Sequence, residues 1–300
     1  MNLHHEHSPE APLVSIGLPV YNGRRHLRHA VLSILNQAYT NWELIIVDDA
    51  STDNSLETIA DIVDNRIKVT RHSDNLGRAA RLNEAVDQAK GEYFARMDQD
   101  DIAYPDRLAK QVAFLQQHPN VDLTASSVTV FKDNGSLIGI RTVPTSHKEI
   151  CRNQQRFMMP HPTWMGKKAW FLANPYDENV FIEDKDLLSR TFQQSTFANI
   201  PKPLLGYREE NLTVSKMLKY RLVAISVAKN NWKQRRFLSA VSVIVMNMVK
   251  AIVDIVAIST RLNYRILRHR ASPPSRQISD EWQNVYNNII TEDGSRLTTK

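Results

Sequence analysis

Three hundred residues, 42% of them hydrophobic, suffice to bury one large α/β core with a smaller appendage. A lone cysteine, Cys151, excludes an intramolecular disulfide framework and fits a reducing compartment. The net charge of +6 is unevenly spread: residues 216–276 carry thirteen Lys/Arg against the single acid Asp254, whereas residues 1–215 are net −4 and 277–300 net −2. An anionic surface is therefore expected as the partner of the basic segment and not of the body.

Met1–Pro12 is polar, carries His4, His5 and His7 and has no apolar core, which predicts a disordered leader over 1–12 and no signal peptide. Val14–Pro19 reads as a short buried strand, and residues 26–36 place Leu27, Ala30, Val31, Ile34 and Leu35 at helical spacing. Leu44–Val47 is a continuous apolar run, the mark of a strand covered on both faces. From Asn54 a helix is expected, with Glu57 as capping-box partner and Leu56, Ile59, Ala60 and Val63 as its stripe. Ile67–Val69 is a third strand, Ala79–Ala89 a helix and Tyr93–Met97 a fourth strand, while Pro105 can open a helix to Gln117. Leu123–Phe131 and Leu137–Val143 flank Lys132–Gly135, a hairpin signal with its Asn-Gly pair. Pro160-His161-Pro162 is a rigid turn, Glu183-Asp184 precedes a helix at 185–192, and 271–300 reads as a linker with a short tail.

Strands alternating with helices predict an α/β fold, a mostly parallel central sheet flanked by helices. In such sheets ligands bind beyond the carboxyl ends of the strands. Three strand ends carry polar or turn residues: Pro19–Gly23, Asp48–Ser51 and Asp98–Asp101. In an extended chain Asp98 and Asp100 point the same way and Asp101 the other. Two carboxylates on one side suit a hard divalent cation such as Mg²⁺ or Mn²⁺, which keeps positions open for phosphate.

These residues resemble the family 2 inverting glycosyltransferases of GT-A fold. The likeness runs through Val14–Asp53, Asn75–Gly77, Leu82-Asn83, Gly91–Tyr93, Asp98–Asp101 and Pro105–Arg107, and it ends with Glu183-Asp184 and Tyr207-Arg208. It implies a catalytic domain over 13–215 that moves a sugar from a nucleotide-sugar donor, expected to be UDP-linked. The acceptor would be a hydroxyl of a glycan or lipid-linked molecule in cell-surface polysaccharide or lipopolysaccharide synthesis. By the resemblance, Pro19 and Tyr21 pack the base, and Asp49 accepts a hydrogen bond from its ring N–H. Gly77 lets backbone approach the ligand, and Arg78 meets a phosphate. Asp100 holds the metal, Asp98 contacts metal or ribose, and Asp101 supports them. Asp184 is the general base that takes the acceptor hydroxyl's proton. Glu183 positions it, and His161 lines the acceptor side or supports it.

No Gln-x-x-Arg-Trp motif of processive synthases follows Asp184; the chain reads Lys185-Asp186-Leu187-Leu188-Ser189-Arg190, which argues for transfer of one or a few sugars. Within 216–270, the stretch 237–267 is apolar, with Asn247, Lys250, Asp254 and Arg261 as a polar stripe and basic flanks. A basic amphipathic helix lying on an anionic leaflet is the expectation, hence a cytoplasmic protein peripheral on the inner face of the plasma membrane. The rival is a catalytically degenerate domain kept as a membrane or polyanion scaffold. A nucleic-acid partner is not expected, because carboxylates at the strand ends repel phosphate unless a metal intervenes.

Overall fold

The computed structural model describes residues 11–152, 157–180, 182–209 and 271–298, together with the single positions 241, 245, 248, 249 and 252. In chain order the elements are β1 (Val14–Val20), α1 (Leu27–Leu35), β2 (Trp42–Asp48), β3 (Ile67–Arg71), α2 (Arg78–Gln88), β4 (Tyr93–Arg96), β5 (Ile102–Ala103) and α3 (Arg107–Gln117). They continue with β6 (Leu123–Phe131), β7 (Leu137–Arg141), α4 (His147–Cys151), β8 (Met165–Lys167), α5 (Lys168–Ala173), α6 (Glu183–Thr191), β9 (Phe197–Arg208) and α7 (Arg276–Thr298).

One nine-stranded sheet runs in the order β3-β2-β1-β4-β8-β6-β9-β5, with β7 attached to β6. The expected parallel pairing holds for β3-β2-β1-β4, and β6 and β9 are also parallel. Antiparallel pairs enter with β8, β7 and β5. Every residue of β1 and β2 is buried, and the side chains of β2 divide by the two-residue period. Leu44 and Ile46 join the core beneath α1 and α3, whereas Ile45 and Val47 join the core beneath α2, α5 and α6. Because β1 lies between β2 and β4, the three polar strand ends come out side by side.

Two expectations need correction. The helix from Asn54 is only a short 3₁₀ turn, Leu56–Ile59, without a side-chain cap. The capping groups are used elsewhere: Asn22 N donates to Ser51 Oγ (2.9 Å), Gly23 N to Ser55 Oγ (2.8 Å) and Arg24 N to Asp53 Oδ2 (2.9 Å). Asn54 itself sits at φ 59°, outside a right-handed helix.

Residues 271–298 are not a loose linker and tail. Ser272 pairs with Ile140 beside β7, and α7 docks on the body through Trp282, Val285 and Ile289, which join Leu32, Ile102, Tyr104 and Phe131 in a third apolar cluster. Gly206 makes room for this docking, since a Cβ there would lie 2.2 Å from the Trp282 ring.

The leader expected at 1–12 lies outside the described residues apart from 11 and 12. The basic segment expected at 216–270 also lies outside them, except Val241, Val245, Met248, Val249 and Ile252, which are helical with exposed side chains. Among the described residues no helix is long and apolar enough to cross a membrane.

Candidate active site

The three strand ends are stitched to one another by their own side chains. Tyr21 N donates to Gln99 Oε1 (2.9 Å) and Gln99 Nε2 returns a bond to Tyr21 O (3.0 Å), which ties the β1 end to the acidic loop after β4. Asn22 Oδ1 accepts from Thr52 N (2.9 Å), which ties it to the loop after β2. Tyr21 is 49% exposed and offers a free ring face. Pro19 sits inside β1, buried opposite Val47, so it lies beneath the site as packing and not as an open wall.

Asp49 is buried, and its carboxylate grips the next loop. Oδ1 accepts from Leu76 N (2.8 Å) and Arg81 Nε (2.7 Å), and Oδ2 accepts from Gly77 N (2.8 Å). A carboxylate offers about four lone-pair positions, so one remains on Oδ2 for a further donor. Gly77 takes φ 90°, where a side chain would be strained, and opens α2. Arg81, also buried, spends its remaining donors on Glu84 and on the Asp74 carbonyl (2.6 Å).

After β4 the chain turns at Gln99-Asp100, so the alternation expected of an extended strand is lost. One oxygen each of Asp98, Asp100 and Asp101 lie within 4.8 Å of one another, so Asp101 joins the other two and does not point away. Arg96, wholly buried at the end of β4, chelates Asp98, with Nη1 2.6 Å from Oδ2 and Nη2 against Oδ1. Packing pushes the Asp100 carboxyl up to about 6, and the neighbouring Asp98 adds to this. Burial holds Asp101 well above the usual carboxylate range, with Asp100 and Asp98 contributing. Oδ1 of Asp101 accepts from Arg208 N (2.9 Å), while its buried Oδ2 has no hydrogen-bond partner among the described residues. Three mutually repelling carboxylates and an orphaned buried oxygen fit a hard divalent cation, which would relieve both. Beneath them the buried Arg107 donates to the Arg96 carbonyl (2.6 Å), and desolvation draws its guanidinium down to about 9.

Glu183 and Asp184 form the first turn of α6 and do not precede the helix. Arg78, at the start of α2, lies with Nε 2.6 Å from Glu183 Oε1. Its charge is reinforced by Asp98, Glu183 and Asp184 together, which raise its pKa against the opposing effect of burial. Arg78 thus links the start of α2 to the start of α6 and feels the charge of Asp98 as well. The Asp184 carboxyl is raised by burial and then by Glu183.

His161 is buried beside Glu183, with Nδ1 3.7 Å from Oε1 and Nε2 2.9 Å from Tyr176 Oη. Desolvation lowers its pKa far below the ordinary value, with Arg96 and Arg78 adding to the effect, so the ring is neutral. It packs against Glu183 and Tyr176 within the fold.

Sequence reasoning missed Arg81, Arg96, Gln99 and Tyr176. Asn83 clasps the chain 93 positions away, donating to Tyr176 O (3.0 Å) and accepting from Tyr176 N (2.9 Å). The signal for Arg96 was its place at the end of an apolar strand, where a cation needs a buried partner. Nothing local marked Tyr176.

The family model for Glycosyl transferase family 2 matches residues 15–173. EpsE of Bacillus subtilis, described as a putative glycosyltransferase, is 42% identical over 137 residues, which are 45% of this chain and 49% of EpsE. TuaG of the same organism, a putative teichuronic acid biosynthesis glycosyltransferase, is 40% identical over 108 residues, 35% of this chain and 43% of TuaG. The matches thus span about half the length of these relatives. Among solved structures, the mannosyltransferase PcManGT of Pyrobaculum calidifontis, in complex with GDP-Man and Mn²⁺, superposes with TM-score 0.56 at 15% identity, covering 94% of this chain and 88% of that one. TarS of S. aureus, residues 1–349 with UDP-GlcNAc, gives TM-score 0.54 at 18% identity over 93% and 80%. At such identities the likeness is one of fold, and that fold is GT-A. The strand-end geometry, the GT-A architecture and the family match agree, and the chain belongs to glycosyl transferase family 2.

Proposed function

We propose that this chain is a metal-dependent, inverting, non-processive glycosyltransferase that uses a nucleotide-sugar donor, most simply a UDP-sugar. The observation that carries the reading is Arg78: it pairs with Glu183 while its charge is reinforced by Asp98 and Asp184, so the acid group and the α6 carboxylates share one site. The parts divide as follows. Tyr21 offers its exposed ring to the base, and the free lone pair of Asp49 accepts a base N–H. Asp100 and Asp98, with the bare oxygen of Asp101, would hold the cation, whose charge would offset that of a departing diphosphate. Arg78, half-exposed, faces the phosphates or the sugar. Asp184, its proton affinity raised by burial, takes the proton of the acceptor hydroxyl. Glu183 and the neutral His161 fix the base from behind.

The name of TuaG and the resemblance of the motifs support an acceptor in a cell-surface polysaccharide, either a glycan or a lipid-linked intermediate. The basic, apolar segment 216–270 supports a cytoplasmic protein held on an anionic leaflet. Full-length protein is expected to sediment with anionic vesicles at low salt and not with zwitterionic ones; equal partition onto both would reject that placement.

Calorimetric titration with UDP, GDP and dTDP, each with and without Mn²⁺, tests the central reading on wild type and Asp100→Ala. Metal-dependent binding of one nucleotide, lost in Asp100→Ala, is the expected result and identifies the donor class. A folded protein that binds none of them is a scaffold and not a transferase.

A further inference from the structure

We propose that Arg208, the last residue of β9, is a positioning residue that holds the 98–101 loop in its cation-binding shape, braced by α7. Residue 208 lies beyond the span matched to the family model, 15–173. It reaches the acids from more than a hundred positions away, and it grips them twice. Its backbone N donates to Asp101 Oδ1 (2.9 Å), and its Nε donates to the Asp100 carbonyl (2.7 Å). Three carboxylates held this close repel, and the loop needs a restraint that does not consume the oxygens meant for a ligand. Arg208 supplies it mainly through the backbone of Asp100, leaving that carboxylate free. Arg96 restrains Asp98 from the opposite end of the turn (2.6 Å), so the loop is clamped from two sides.

Arg208 is itself held by what packs on it. Its guanidinium lies over the Phe131 ring, 4.5 Å from the centroid, and Nη1 is 3.4 Å from Asp133 Oδ1. Phe131 in turn packs against Trp282, with centroids 4.5 Å apart, and against Tyr286 at 6.0 Å. Trp282 Nε1 donates to the Gly135 carbonyl (2.9 Å) and Tyr286 Oη to the Asp133 carbonyl (3.1 Å), so α7 fastens both ends of the β6–β7 turn. At its far end α7 is fixed to α1 through Arg28–Asp293 (2.5 Å) and His29–Asp293 (3.1 Å). A continuous set of contacts thus runs from α1 through α7, Trp282 and Phe131 to Arg208 and the acid loop. Lysine cannot replace Arg208, because one ammonium has neither the planar fork nor the flat face that stacks on Phe131.

The inference rests on the proposed cation binding, and its test separates the two. Full-length wild type, Arg208→Lys and Tyr286→Phe are compared by three readouts. These are hydrogen exchange of the 98–104 amides without ligand, Mn²⁺ affinity from the free-ion spin resonance signal, and affinity at saturating Mn²⁺ for whichever of UDP, GDP or dTDP binds wild type. Arg208→Lys is expected to exchange faster at 98–104 and to bind Mn²⁺ about tenfold more weakly, the usual scale for loss of an outer-shell partner. Nucleotide affinity at saturating Mn²⁺ should stay within about twofold, because excess ion refills the weakened site. Tyr286→Phe, which keeps the ring and loses one hydroxyl, should shift exchange and Mn²⁺ affinity the same way by less; it decides the matter if Arg208→Lys does not fold. Unchanged exchange and Mn²⁺ affinity would overturn the proposal, as would an equal fall in nucleotide binding at saturating Mn²⁺, which would mark a general structural role. If wild type takes up no Mn²⁺, the proposed function fails, and exchange at 98–104 still judges whether Arg208 holds the loop.

Discussion

The two halves of the sheet reach the site by different routes. In β1, β2 and β4 the site residues sit one to five positions beyond a strand, and their partners are the loops of adjacent parallel strands. In the other half, α6 and β9 deliver Asp184 and Arg208 through contacts spanning many tens of residues, such as Arg78–Glu183 and Arg208–Asp100. The proposed donor side is therefore written as compact motifs, whereas the proposed base and the brace of the acid loop come together only once antiparallel β8 and parallel β9 have closed the sheet. The halves should also fail differently: changes at α6 should lose turnover, changes around β9 and α7 should lose the cation, and changes on the donor side should lose nucleotide.

The largest effect is expected at α6. Asp184→Asn should lower turnover by roughly 10²- to 10⁴-fold, the usual worth of a positioned base. Nucleotide binding measured alongside should be unchanged; its loss would erase the distinction between the halves.

Next come two substitutions that weigh the halves by stability. Arg81→Met strips the buried Asp49 of its cation and should cost about 3–5 kcal/mol in urea unfolding, as removing one member of a buried pair does. Trp282→Ala opens a cavity against Phe131 and Tyr104 and should cost about 3–5 kcal/mol as well. The two should part in function: Arg81→Met is expected to weaken nucleotide binding even at saturating Mn²⁺, and Trp282→Ala to weaken Mn²⁺ binding alone. Loss of both ligands in both variants would mean that the halves unfold together.

A subtler effect concerns pH. As the proposed base, Asp184 would act deprotonated, and burial with Glu183 raises its pKa, so activity should fall as pH drops through a value above that of a free aspartate. Removing the neighbouring charge with Glu183→Gln lowers that pKa, so the acid limb of kcat/KM should move to lower pH; a stationary limb would assign it to another group.

The smallest effect is local. Ala50 sits at φ 63°, a left-handed conformation costly for any residue with a Cβ. Ala50→Gly should relieve that strain against a more flexible unfolded chain, raising stability by about 0.5–1 kcal/mol in denaturant melts. No gain would mean that the loop after β2 carries no strain.

Legibility followed the range of the interactions. The apolar runs at Val14–Pro19 and Leu44–Val47 are strands because a buried central strand must be apolar on both faces, and that condition is local. The 3₁₀ turn at Leu56–Ile59 was misread because Ser51, Asp53 and Ser55 satisfy the backbone of the 22–24 loop and leave no helix cap. The α7 stripe of Trp282, Val285 and Ile289 was present at helical spacing, but a polar background and two prolines made it look like a tail. Of the site, the acids and Tyr21 were legible as strand-end residues. The arginines that pair them were not, because an arginine declares its partner only when both are buried together.

The sequence by itself determined the alternating strands and helices, the polar strand ends beside β1, and the clustering of carboxylates after β4, since periodicity and spacing are properties of neighbours along the chain. Only the tertiary structure decided that Asp101 joins Asp98 and Asp100, that Arg96 and Arg208 hold them from two sides, and that α7 docks behind Phe131. Those are outcomes of charge and desolvation balanced in three dimensions, where residues more than a hundred positions apart compete for the same buried space.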